Sequence, residues 1–212
     1  MAARLAQPRS HLQPELMKRV LKFCITASVI ALVGIAQAQL FGPKMKKPNE
    51  LLQKQAPLKV NQQLLAQATP DSTHIVVSIP KQRAFLMIGD QIVADGPISS
   101  GKRGHETPRG HFSVMEKDPN HHSSLYGDFV DGRGRVVRAG VSAHIDSAPS
   151  GTHFAGAAMK WFLRLTGEGV GMHIGILPGY PASHGCVRES GEGAKLFYDH
   201  AKVGTPVDVG DY

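Results

Sequence analysis

The spacing of apolar residues changes twice along this chain. Phe23 to Ile35 is a continuous apolar run, residues 39–73 hold no sustained period, and from residue 74 a period of two takes over. His74 to Ile79 is rich in β-branched residues, and Arg83 to Ile88 and Gln91 to Ala94 flank Gly89-Asp90 as a hairpin. Gly110 to Glu116 alternates, and Phe129-Val130 and Val136-Val137 lie on either side of Asp131-Gly132 and Gly134. Met159, Trp161, Leu163 and Leu165 alternate with Lys160, Phe162, Arg164 and Thr166, which predicts a half-buried strand. In the next strand Val170, Met172, Ile174 and Ile176 share one face, and Gly171, His173 and Gly175 the other. Ser190 to Ala201 reads as a helix with Ser190 as its N-cap, and Thr205 to Val209 as a closing strand. The expected fold is mostly β, a mixed sandwich or barrel-like domain over 74–212 with one or two short helices.

The apolar run near the start changes how the charge is read. Arg4, Arg9, Lys18, Arg19 and Lys22 precede it against Glu15 alone, and Ala36-Gln37-Ala38 follows it, the build of a secretory signal with a small-x-small cleavage site. Its 13 residues span about 20 Å as a helix, short of the roughly 30 Å hydrocarbon core of a bilayer. Residues 1–38 therefore read as a signal peptide cleaved after Ala38, with an uncleaved membrane anchor through residues 23–38 as the alternative. The chain carries a formal +7, but without this segment 19 basic residues face 16 acidic ones, a charge of +3. The basic balance belongs largely to targeting, and nucleic acid is not expected as a partner. The Pro-, Gln- and Lys-rich stretch 39–73 reads as a tether, with short helical patches at Glu50 to Gln55 and Val60 to Ala68 too narrow in apolar face to pack alone.

Candidate chemistry is concentrated in Ser183-His184-Gly185-Cys186-Val187-Arg188. Cys24 falls in the targeting segment, so a disulfide scaffold is excluded and Cys186 is the only thiol of a cleaved chain. Buried structural cysteines usually sit in apolar periodic runs, whereas Cys186 ends a Gly- and Pro-rich loop between a Ser-His pair and an arginine. Cationic neighbours there predict a thiol pKa lowered from about 8.5 toward roughly 3.5 to 7.5. Gly185 permits close backbone approach, so that the N–H groups of Gly185 and Cys186 can converge on an oxyanion. A thiol nucleophile needs a base. His173 is favoured over His184, because side chains two apart in a turn seldom meet with useful geometry, and because Gly171 and Gly175 are expected to leave room for substrate beside His173. His184 is then left to shape the oxyanion loop or contact substrate.

His173, a short loop and the Ser183 to Arg188 string together resemble the signature of the L,D-transpeptidase catalytic domain, a β-rich fold with a cysteine nucleophile that acts on bacterial peptidoglycan. Ser99-Ser100-Gly101 followed by Thr107-Pro108-Arg109-Gly110-His111-Phe112 resembles that family's small-residue turn and Thr-Pro strand entry, and the resemblance runs from about Ile75 to Val209. It implies that His173 is the general base, that Cys186 is acylated, and that Arg188 holds the loop or a substrate carboxylate, with Ser183, His184 and Gly185 in the substrate or oxyanion loop. The implied partner is a peptidoglycan stem peptide: a tetrapeptide donor ending in D-Ala forms a thioester that an amine resolves to a cross-link. The alternatives are resolution by water, as in an L,D-carboxypeptidase or hydrolase, and a non-catalytic wall-binding module. The location implied is the periplasm or cell envelope. Three positions depart from the pattern: Ile174 intervenes before Gly175, only 13 positions separate His173 from Cys186, and Glu189 stands where an apolar residue is expected.

His105, His111, His121, His122, His144 and His153 lack the HExxH or paired CxxC spacing of a metal site, so they read as solvent or cleft histidines, with no cofactor or metal expected. Gly101-Lys102-Arg103-Gly104 lacks the spacing of a phosphate-binding loop. Gly132 to Arg138 reads as a solvated basic hairpin.

Overall fold

Strands form over most of the segments where the period of two predicts them. This computed structural model describes Leu52 and residues 54–212; the signal or anchor segment 1–38 and the first part of the tether lie outside the described residues. Strands β1 (Lys59–Val60), β2 (Thr73–Ser78), β3 (Arg83–Ile88), β4 (Gln91–Ser99), β5 (Gly110–Ser113) and β6 (Glu116–Asp118) come first. They are followed by β7 (His122–Asp131), β8 (Val136–Ser142), β9 (Thr152–Ala158), β10 (Phe162–Arg164), β11 (Gly171–Ile174), β12 (Val187–Glu189) and β13 (Pro206–Gly210). Among the described residues two helices accompany them, α1 (Gln62–Leu65) and α2 (Gly191–Asp199).

One large sheet runs β5-β13-β2-β3-β4-β12-β11-β10-β6, with β1 on β4, and curls into a half-barrel. It is antiparallel except at β2–β13 and β11–β12, so the expected mostly β, mixed fold is the observed one. The inner face packs Ile75, Val77, Leu86, Ile98, Leu163, Met172, Val187 and Val207 against Phe197 of α2, all wholly buried. Burial of side chains of this size stabilises by roughly 1.5–3 kcal/mol each. Ser190 caps α2 as expected, its hydroxyl accepting from the Gly193 N–H at 3.1 Å. A second sheet, β8-β7-β9, lies outside this core.

Three expectations are corrected. The described part of the tether is bound: Leu58, Val60, Leu64, Leu65 and Ala68 pack on the core, Lys59 pairs with Asp95, and Gln55 Nε2 donates to the Ile98 carbonyl at 2.9 Å. These residues are too few to build a face of their own, and the edge of β4 supplies one. The alternation predicted for 159–166 also fails, because Trp161 sits at φ +57 and Phe162 and Leu163 are both fully buried. The strand is covered on both sides there, Leu163 by the core and Phe162 by the ring of His121, so neither face needs polar residues. Ile176, expected on an apolar face, is 77% exposed because β11 ends at Ile174.

Candidate active site

Two motifs far apart in sequence hold the loop that ends in Cys186. Gly101 bridges Ser183, the N–H groups of Ala182 and Ser183 donate to the Ser100 carbonyl at 2.9 and 3.0 Å, and the Lys102 N–H donates to the Ser183 carbonyl at 2.9 Å. The Thr107 hydroxyl donates to the Gly185 carbonyl at 2.7 Å and accepts from the Gly101 N–H at 2.8 Å. Gln82 fixes the other side, its carboxamide donating to Ser100 Oγ at 2.8 Å and accepting from the Ser100 N–H at 3.0 Å. Gly101 has to be glycine, since a Cβ there would lie 2.1 Å from the His105 carbonyl oxygen. Gly185 adopts φ +116, a conformation that only glycine takes without strain, and this turns the chain into Cys186.

β12 lies parallel to β11 with Arg188 opposite His173, so Cys186 and Arg188 share one face of the sheet with His173. Phe162 and Arg164 of β10 continue that face. The room expected beside His173 is filled by protein. A Cβ on Gly171 would meet the Phe162 ring at 2.4 Å, and one on Gly175 would meet the Arg188 stem at 2.6 Å. The two glycines that flank His173 admit an aromatic ring and an arginine stem.

His173 Nδ1 donates to the carbonyl of Ile174 at 2.7 Å, which leaves Nε2 as the free ring nitrogen. The residue that departs from the family pattern thus supplies the orienting carbonyl. Burial holds the His173 pKa down to about 4, against the pull of that carbonyl and with the Arg188 and His121 charges adding to the depression. Burial also pushes the Cys186 thiol above its ordinary value, only partly offset by the Gly171 N–H and by the Arg188 and Arg164 charges. The expected low thiol pKa is therefore corrected: desolvation outweighs the cations and favours a neutral thiol beside a neutral imidazole. The thiol's hydrogen bond goes to the Gly169 carbonyl, at 3.7 Å.

Around the pair opens a cleft of about 470 Å³. His121 to Tyr126 of the β7 side and Ala157 to Met159 form one wall; Arg164, Gly169, His173, Ser183, Cys186 and Arg188 belong to the other. Every residue singled out from the sequence lines this cleft except Gly185, whose part is backbone geometry. His184 lies at the exposed rim, its ring stacked on Tyr126 at 4.6 Å and its Nε2 taking a hydrogen bond from Lys102 at 2.9 Å. Burial, then the charges of Lys102, His105 and Arg188, lower its pKa and disfavour the imidazolium.

The sequence reading did not single out Arg164, Glu168 or Tyr126 as lining the cleft, because their place there comes from contacts between segments distant in sequence. Glu189 turns the other way, into the core. It is 2% exposed, neither carboxyl oxygen has a hydrogen-bond partner among the described residues, and burial pushes its pKa up to about 8.

A domain built this way, with a cysteine at the entry to one strand and a histidine on its parallel neighbour facing one cleft, matches known proteins. The family model of the L,D-transpeptidase catalytic domain matches residues 72–209, well over half of the sequence, and the chain belongs to this family. Solved structures similar to it include an L,D-transpeptidase from Mycobacterium smegmatis, at 25% identity and TM-score 0.49, covering 66% of this chain and 58% of that one. Another is L,D-transpeptidase 3 from Mycobacterium tuberculosis in complex with a faropenem-derived adduct, at 22% identity and TM-score 0.48, covering 65% and 60%. A third is an L,D-transpeptidase from Stackebrandtia nassauensis, at 16% and 0.47, covering 70% and 63%. The chain thus spans less than two thirds of each of these proteins. No curated protein matches it.

Proposed function

We propose that this protein is an exported peptidoglycan L,D-transpeptidase that uses Cys186 as its nucleophile and His173 as its base. The observation that carries the reading is the pair itself: a cysteine at the mouth of β12 and, on the parallel neighbour β11, an imidazole with its Nδ1 tied to a carbonyl, in a cleft of a size that suits a peptide stem. As substrate carbonyl carbon and sulfur approach, Nε2 of His173 takes the thiol proton and the C–S bond forms. The imidazolium gives that proton to the departing D-amino acid nitrogen as the C–N bond breaks, leaving a thioester. Because both partners rest neutral, proton transfer accompanies attack. The N–H groups of Gly185 and Cys186 face the oxyanion in this scheme, and the half-buried Arg188 guanidinium suits a substrate carboxylate. An amine then resolves the thioester.

Export rests on the basic, apolar and small-residue order of residues 1–38, and is tested by sequencing the N-terminus of envelope-associated protein, expected near Gln39. The activity is tested by incubating purified peptidoglycan fragments with the protein and with Cys186→Ala, followed by mass spectrometry. Cross-linked dimers that vanish in the variant support the reading. Shortened stems alone make the protein a carboxypeptidase or hydrolase, and unchanged stems make it a wall-binding module.

A further inference from the structure

His173 is not the only imidazole fixed in the cleft. His121, at the end of the turn between β6 and β7, lines it as well. Its ring lies flat on Phe162, centroids 4.2 Å apart and planes within 10°, and Phe162 is wholly buried. Its Nδ1 is 3.2 Å from Asp118 Oδ2, to which it donates. The turn that carries it is clamped to the start of β10: the Met159 N–H donates to the His121 carbonyl at 2.8 Å, and the Trp161 N–H to the Pro119 carbonyl at 3.2 Å. Ring plane, tautomer and backbone are therefore all set, and Nε2 is the nitrogen left for the cleft. The same Phe162 ring stands 6.3 Å from the ring of His173, and the charge of His121 is felt at His173, so both imidazoles lie against one buried aromatic.

Acyl transfer moves protons twice. In the first half the thiol proton goes through His173 to the departing amine, and His173 ends neutral. In the second half an incoming amine attacks the thioester carbonyl, its nitrogen becomes positively charged, and a base must remove a proton from it. His121 is 20% exposed in its side chain, and the Asp118 carboxylate faces the charge that it gains on taking a proton.

We infer that His121, oriented by Asp118, is the general base of the second half-reaction, deprotonating the amine that resolves the Cys186 thioester. This rests on the transpeptidase reading and extends it to the acceptor side. The C–N bond forms as the amine proton passes to His121 Nε2. The C–S bond then breaks with its electron pair on sulfur, and the Cys186 thiolate is reprotonated from solvent as His121 releases its proton to water.

The experiment follows thioester formation and decay by rapid-quench mass spectrometry of the intact protein. Its donor is a stem tetrapeptide ending in D-Ala, and a second stem peptide supplies the amine. In His121→Ala the thioester is expected to accumulate, with resolution slowed by about 10²- to 10⁴-fold, the usual contribution of a positioned base. Added imidazole should restore part of the rate, which it cannot do for a packing defect. Asp118→Asn, which keeps the side-chain shape, should slow resolution less and shift its pH profile. No thioester in the unsubstituted protein overturns the transpeptidase reading and this assignment together. A thioester that forms and is resolved at equal rates with and without His121, or a loss in His121→Ala that falls on formation and is insensitive to imidazole, overturns this assignment alone.

Discussion

The Thr107 hydroxyl donates to the carbonyl of Gly185 across 78 positions of sequence while accepting the N–H of Gly101. One buried side-chain oxygen thereby joins the Thr-Pro segment, the small-residue turn and the loop that presents Cys186. Thr107→Val removes both bonds and strands two buried backbone groups, at a cost of about 1–3 kcal/mol each. A lowered Tm together with slower acylation of Cys186 is expected, and Thr107→Ser should recover most of both. Unchanged acylation in the valine variant would show that the loop holds itself.

The two histidines nearest the thiol should separate in kinetics. His173→Ala is expected to lower the acylation rate by about 10²- to 10⁴-fold. His184, at the rim and engaged by Lys102, should cost less when replaced by alanine. Single-turnover acylation with a stem tetrapeptide checks both, and a larger loss at His184 would reverse the assignment of the base.

Thiol reactivity carries the sign of the desolvation argument. With Cys186 pushed up by burial and His173 held at about 4, the resting thiolate fraction near pH 7 is small. Alkylation by a small electrophile should rise with pH to a midpoint above that of an ordinary thiol. Removing the favourable guanidinium in Arg188→Ala should move the midpoint higher still. His173→Ala should leave it nearly in place, because a neutral imidazole adds no charge. A wild-type midpoint below the ordinary thiol value would instead mean a preformed thiolate–imidazolium pair.

Glu189 ties stability to pH. Its folded pKa of about 8 lies above the ordinary 4.5, so between these values the folded state holds a proton that the unfolded state has released. Stability from this group is complete below about pH 4.5 and declines through pH 8, by up to about 1.4 kcal/mol per pH unit. Glu189→Leu removes the decline and fills the same core position. Denaturant unfolding from pH 5 to 9 should give a flatter profile for the variant and a gain that grows with pH, and parallel profiles would disprove the link.

The sequence by itself determined many of the elements and marked the candidate reacting groups. The period of two in β2 and β3, the Ser190 cap and the Ser183 to Arg188 string are local signals, written in neighbouring residues, and they recur in place. Family membership was legible for the same reason, since the motif is contiguous. What only the tertiary structure decided is whatever depends on pairing between distant strands. The glycines beside His173 looked like space for substrate until β10 and β12 brought Phe162 and Arg188 over them. The thiol looked activated because its sequence neighbours are cationic, whereas the depth of its burial, which no short window records, raises its pKa instead. His121 was one histidine among many, and only the fold stacks it on Phe162 and turns it into the cleft of Cys186. Residues 54–72 carried no face of their own, so their docking could be seen only once the edge of β4 was there to receive them. Local propensity and spacing are set by adjacent residues, but desolvation and proximity are set by contacts that close loops tens of residues long.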